Sequence, residues 1–326
     1  MSTQTRPRAL FALLAALVLG LGVAACGGDD DDDGDGGGDT SANLIEENPD
    51  NNGVQVTVGS KNFTEQYILG EIYAQALEAA GYDVKTQLNL GSEVIALRAL
   101  EDGEIDAYPE YTSTALTSFF NTPPEDVPAD AQQAFEDSQA EFEEDGLTAF
   151  PPTPFESANA VGLLTETAEE LDVSSISDLE GVSQDLTLYG APECRERVDC
   201  LVGLEDNYGL QFKKFTPVDI GLRYEVLDKG DADLSILFTT DAQLFVSDDY
   251  VILEDDQSLL PAGNVLFVAR TETADEAGPD FGDVVESVQE NLTLDVMQEL
   301  NARVDIDKED PGDAARAYLE EFGYIR

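Results

Sequence analysis

The chain contains no histidine, which removes the general base that most serine and cysteine hydrolases depend on and the commonest metal-ligating side chain. Basic residues are scarce, 16 against 69 acidic ones. A lysine or arginine near a turn therefore stands out. Lys61 and Arg197 are two such residues, and each either meets an anionic group of a ligand or neutralises neighbouring acids. Two aromatics stand out because the sequence repeats itself around them. Leu100–Thr114 and Leu227–Asp241 share a Leu, a Gly three positions later, an acid next, an Asp three after the Gly, and an aromatic eight after it followed by Thr. The pattern puts Tyr111 and Phe238 at equivalent strand-to-helix corners of two similar units, facing one another across a cleft. An aromatic face attracts a cation by roughly 0.5–2 kcal/mol. A carboxylate on the same ligand would need Arg, Lys or free backbone N–H groups at a helix start.

Those corners must be held by regular elements, and the periodicity supplies them. Val54, Val56 and Val58 alternate as in a half-buried strand that stops at Gly59, and from Thr64 the spacing of Ile68, Leu69, Ile72, Tyr73, Ala76 and Leu77 turns helical until Gly81. Lys61, Asn62 and Phe63 lie in the turn between them. A second strand (84–90), a helix (92–100) and a third strand (105–108) lead to Tyr111 and Thr114. An acidic, Phe-bearing helix covers the 119–150 region. Further on come strands at 160–164, 186–189, 211–215, 232–238, 251–253 and 265–269, a helix at 220–227, and amphipathic helices at 281–291, 293–305 and 311–322. In an open α/β sheet, ligands sit where strand carboxyl ends feed helix starts.

A length of 326 residues and 42% hydrophobic content support two medium cores. A formal charge of −53 excludes nucleic acid and anionic membrane surfaces as partners and points to a solvated, strongly anionic surface. At the start, Arg6 and Arg8 precede the apolar run Ala9–Ala25, which ends in small residues before Cys26. A basic segment, an apolar segment and small residues before the cut form a secretory signal peptide. Cys26 stands where the bacterial lipobox has its lipid-modified cysteine. The run is too short and too rich in Ala and Gly to serve well as a membrane span. Residues 26–52 are acidic and nearly free of apolar side chains, which reads as a disordered tether. Asp29–Asp33 lack the spacing of a calcium loop. Cys194 and Cys200 lie six positions apart in an exported chain, which favours a local disulfide; a metal site would be short of soft ligands.

The runs GSKNFTEQYILGEIYAQALE and ALEDGEIDAYPEYTSTAL together resemble the osmoprotectant-binding family, the extracytoplasmic binding proteins of ABC importers for glycine betaine, choline, carnitine and related compounds. The resemblance runs from about Val54 to the C-terminus. It implies a type II periplasmic-binding-protein fold: two α/β lobes, each a mixed five-stranded sheet flanked by helices, with the ligand in the cleft between them. Lobe one would span 53–158 and 265–326, and lobe two 159–264. It also implies roles. Tyr111 matches a cage tyrosine, Thr114 a polar residue touching the ligand's head, Phe238 a second cage aromatic, Arg197 a carboxylate-binding arginine and Lys61 a cleft lysine. Asn62, Phe63, Asn159 and Thr239 complete the expected ligand-binding set. The chain departs from the family at two places. Ser157-Ala158-Asn159 stands where many relatives read Asn-Thr-Tyr, and Pro261-Ala262-Gly263 where they carry an aromatic. Two expected cage aromatics are thus missing, with Phe63 and Phe155 the nearest substitutes.

The expected function is capture of a quaternary ammonium osmoprotectant for delivery to separate permease and ATPase subunits, by a monomer anchored to the membrane through lipid on Cys26. No cofactor, no metal and no nucleic acid is expected. The alternatives are the same role for another small polar solute such as an amino acid, and a secreted hydrolase working through paired carboxylates. No spacing among the acids singles out such a pair.

Overall fold

Two mixed sheets with matching layouts build the molecule. A computed structural model describes residues 43–326; Cys26, the signal segment and most of the acidic tether lie outside the described residues. The first sheet contains β1 (Gln55–Gly59), β2 (Asp83–Gln87), β3 (Ala107–Tyr111), β4 (Leu147–Ala149), the two-residue β5 (Glu156–Ser157) and, from much later in the chain, β11 (Gly263–Arg270). Its order is β2-β1-β3-β11-β4, with β5 paired to the start of β11. The second sheet contains β6 (Asn159–Leu164), β7 (Thr187–Gly190), β8 (Lys214–Pro217), β9 (Leu234–Phe238) and β10 (Tyr250–Ile252), in the order β10-β6-β9-β7-β8. In each sheet three parallel strands are continued by two antiparallel to their neighbours, and in the first sheet β5 adds a further antiparallel pairing on β11. Reading β2-β1-β3-β11-β4 against β8-β7-β9-β6-β10 superposes the two lobes, and it places Tyr111 and Phe238 as the last residues of equivalent central strands. The first sheet's sixth strand, β5, and the short β4 escape a periodicity reading because two or three residues show no period.

The repeated Asp has a structural role in both lobes. Asp106 accepts from the Thr57 amide at 2.8 Å, and Asp233 accepts from the Thr187 amide at 2.6 Å. Thr57 lies in β1 and Thr187 in its counterpart β7. The same carboxylate thus ties each central strand's entry to its neighbour.

The helix Thr64–Ala79 buries Ile68, Leu69, Ile72, Tyr73, Ala76 and Leu77 against the first sheet. It ends because Gly81 takes φ +101, letting the Gly81 amide reach Glu78 O and the Tyr82 amide reach Leu77 O, while a Cβ at Gly81 would sit 2.9 Å from Asn48 O. The C-terminal helices Pro279–Gln289, Leu294–Asp305 and Pro311–Glu321 pack on the same core through Phe281, Val285, Met297, Tyr318 and Leu319. The second sheet has its own core around Val161, Leu163, Leu188, Leu204 and Leu234. The end of the expected tether is not free. Ile45 donates to Tyr324 O and packs on the first core, and Asn48 and Asn51 bond Ala80 O. One apolar side chain and a few asparagines suffice to dock a segment whose composition is otherwise that of a linker. Among the described residues no helix is long and apolar enough to cross a membrane.

Candidate functional site

Where the chain passes between the sheets, β5 gives way through Ala158 to β6, and β11 begins at Gly263. A Cβ at Gly263 would lie 2.7 Å from the Ser113 amide nitrogen, so only glycine lets this crossing press against the corner after Tyr111. Between the lobes lies a cleft of about 790 Å³ including its open mouth. Lys61, Asn62, Phe63, Tyr111 and Thr114 line it from one side, and Asn159, Arg197 and Phe238 from the other. Thr239 is placed elsewhere: its hydroxyl accepts from the Ala158 amide at 3.0 Å, within the crossing.

Each aromatic reaches the cleft for a local reason. Phe63 is the N-cap of the Thr64–Ala79 helix, in extended conformation, so its half-buried ring packs at the edge of the first core and reaches the cleft. Tyr111 ends β3 opposite Val265, and Phe238 ends β9 opposite Asn159. The Phe63 ring lies 6.3 Å from Tyr111 and 5.1 Å from Phe238, centroid to centroid. One lobe's corner is thereby joined to the other's. Phe155 is buried in the first core and does not line the cleft. The positions at which the family resemblance leads one to expect aromatics, Asn159 and the Pro261 segment, do line it.

The charged residues of the cleft are largely paired with one another. Lys61 is buried and bonds Glu110, which also accepts from Tyr108 OH at 3.0 Å and from the Tyr111 amide at 2.7 Å. Its Nζ sits 4.4 Å from the Tyr111 ring centroid, so the protein's own ammonium already covers one aromatic face. Arg197 forks onto Asp199 through Nε and Nη2, and its Nη1 reaches Glu93 of the other lobe at 3.4 Å. Burial pulls the Arg197 guanidinium down, but Asp199, then Glu93 and Glu110, hold it above its ordinary range. Asn159 steadies the pair by donating to the Asp199 carbonyl at 3.1 Å. Cys194 and Cys200 form a disulfide that brackets Arg197 and Asp199, and both sulfur-bearing residues line the cleft.

Four participants lay outside the residues singled out from sequence for binding. Glu93 and Glu193 line the cleft on opposite lobes, and the Glu193 carboxyl is pushed up chiefly by burial, with Glu93 adding to it. Glu65, in the first turn of the first helix, is buried; it accepts from Tyr111 OH at 2.6 Å and from Asn301 at 3.0 Å. Burial raises its carboxyl above the ordinary value despite those bonds. Arg223 stacks its guanidinium 4.0 Å over Phe238 and bonds Asp241 at 2.8 Å. A sequence signal for Arg223 did exist. It stands four residues before the repeat's Leu227, where the first lobe has the fully buried Ala96 four residues before Leu100.

Two lobes of like topology, crossed twice by the chain and closing on an aromatic and charged cleft, define a two-lobed solute-binding protein of the periplasmic type. Residues 54–321 match the family described as the substrate-binding domain of ABC-type glycine betaine transport systems, and the chain belongs to that family. It is 34% identical to a glycine-betaine-binding protein of Pseudomonas aeruginosa, over 81% of this chain and 86% of that one. It is 29% identical to an ergothioneine transport permease/ergothioneine-binding protein of Helicobacter pylori, over 86% of this chain and 49% of that one. A solved structure described as a glycine betaine/carnitine/choline ABC transporter superposes with a TM-score of 0.65 at 24% identity, covering 82% of this chain and 99% of that one. The family is one of transport substrate-binding proteins and not of enzymes. It works with a permease and an ATPase.

Proposed function

We propose that the protein captures glycine betaine or a closely related quaternary ammonium compound outside the cytoplasm and hands it to an ABC importer. The observation that carries the reading is the convergence of Phe63, Tyr111 and Phe238 from both lobes at one cleft. A quaternary ammonium has no N–H to donate, so aromatic faces are what a protein offers it. Family membership and the name of the Pseudomonas relative support the same ligand class. In this reading lobe one comprises 53–158 and 265–326, lobe two 159–264, and the two close by bending at the crossings. Lys61, Asn62, Phe63, Tyr111, Thr114, Asn159 and Arg197 contact the ligand or its neighbours, Phe238 closes the aromatic group from lobe two, and Thr239 acts through the crossing it braces. Cys26 carries the lipid that holds a monomer at the membrane.

The test is calorimetric titration of the protein, unfolded and refolded to strip carried-over ligand, with glycine betaine, choline, carnitine, proline betaine, ergothioneine and several amino acids. Micromolar binding of a quaternary ammonium is the expected result. Binding of an amino acid alone, or silence across the panel from folded protein, would remove the quaternary ammonium assignment.

A further inference from the structure

Arg223 is the first residue of the short helix Arg223–Asp228, and its side chain is buried. Its Nε donates to Ile220 O at 2.8 Å and its Nη2 to Asp241 at 2.8 Å, but Nη1, equally buried, has no hydrogen-bond partner among the described residues. An unpaired buried donor costs on the order of 1–3 kcal/mol, more on a charged group. Such a donor is tolerable where a ligand supplies the acceptor. Arg223 borders the cleft beside Phe63 and Phe238.

Two arginines border this cleft from lobe two, and their surroundings differ. Arg197 already meets two carboxylates, Asp199 and Glu93, so a third would enter a locally negative site. Arg223 meets one, Asp241, whose second oxygen is served by Tyr224 OH and the Phe238 amide, both at 2.9 Å. Arg223 also borders a second cavity, lined by Glu65, Asp219, Asp241 and Asp305 with Lys308 as its other cation. Four carboxylates against Arg223 and Lys308 make that cavity a poorer place for an anion than the cleft, where Glu93, Glu193 and Asp199 face Lys61, Arg197 and Arg223. The cleft face is left, within one ring of the aromatic cluster.

We propose that Arg223 anchors the anionic end of the ligand: Nη1 takes a carboxylate oxygen while Phe63, Tyr111 and Phe238 hold the ammonium end. The cleft then prefers a compact zwitterion to a quaternary alcohol. This rests on the quaternary ammonium reading above and specifies its ligand.

Glycine betaine and choline share the trimethylammonium group and differ in carboxylate against hydroxyl, so paired titrations of the stripped full chain isolate the anchor. The wild type should bind glycine betaine more tightly than choline. Arg223→Gln should weaken glycine betaine at least about tenfold, about 1.4 kcal/mol, and choline less than about threefold. Arg223→Gln combined with Asp241→Asn removes both charges and should show the same contrast if the single variant folds poorly. Equal loss for both ligands in a variant that melts normally would make Arg223 a support of Phe238 and overturn the proposal, as would unchanged betaine affinity. Wild-type preference for choline would also overturn it while leaving the ammonium reading intact. Wild-type silence toward both ligands would overturn the ammonium reading itself, and the anchor with it.

Discussion

Replacing Tyr111 by phenylalanine separates the two things this residue does. The ring stays for the ligand, and the hydroxyl that donates to Glu65 at 2.6 Å is lost. Glu65 is fully buried, and its carboxyl is raised above 4.5 by burial, opposed by hydrogen bonds from Tyr111, Thr240 and Asn301. Leaving a buried polar group short of one partner costs about 1–3 kcal/mol, and Tyr111→Phe should destabilise the protein by about that near neutral pH. The pH dependence has a definite sign. Because Glu65's folded value is raised, its favourable contribution is fully present below 4.5 and is lost as pH rises through the folded value. Losing the hydroxyl raises that value further, so the added destabilisation should be smallest in acid and grow with pH. Urea unfolding of ligand-free protein at acid and at alkaline pH reads this as a midpoint drop at unchanged slope. In glycine betaine titrations Tyr111→Phe should change affinity by less than about threefold, and Tyr111→Ala should lower it at least about tenfold. A midpoint drop of the same size at both pH values would refute the Glu65 argument. A Phe variant as weak as the Ala variant would make the hydroxyl, and not the ring, the binding element.

Reduction of the Cys194–Cys200 bridge reopens a short loop and should lower stability by about 2 kcal/mol. Because the bridge brackets Arg197 and Asp199, reduction should also weaken ligand binding; thermal melts and titrations with and without reductant check both effects, and no shift in either would count against a structural bridge. Cys26→Ser should move the protein from the membrane fraction to the soluble fraction of the cells that make it, and unchanged fractionation would remove the lipid anchor.

The cleft's electrostatics bear on how tightly any ligand is held. Lys61 and Arg223 each place a cation on a ring of the aromatic group, at 4.4 Å and 4.0 Å. A ligand's ammonium must share those rings or use their other faces. With the expected aromatics replaced by Asn159 and the Pro261 segment, the group depends on Phe63, one of the two substitutes the sequence offered. Its role follows from being the N-cap of a helix at a lobe boundary.

The sequence by itself determined most of the elements, though not the short β4 and β5, and the likeness of two units. Period-two valines, the helical spacing after Thr64 and the repeated Leu-Gly-Asp-aromatic pattern are local properties, and they mark two similar units; the sheet order, with β11 entering the first sheet from late in the chain, is not local. The equivalence of Tyr111 and Phe238 was legible for the same reason. What only the tertiary structure decided is which charges are spent. Whether Lys61 and Arg197 face a ligand or their neighbours depends on where Glu110, Asp199 and Glu93 come to lie. Glu93 reaches Arg197, more than a hundred residues away in the chain, only because the two lobes face each other. Phe63 and Phe155 look alike in sequence, yet one caps a helix at the cleft and the other fills the first core. Burial and charge pairing across the lobes are sums over distant segments, and no local window of residues contains them.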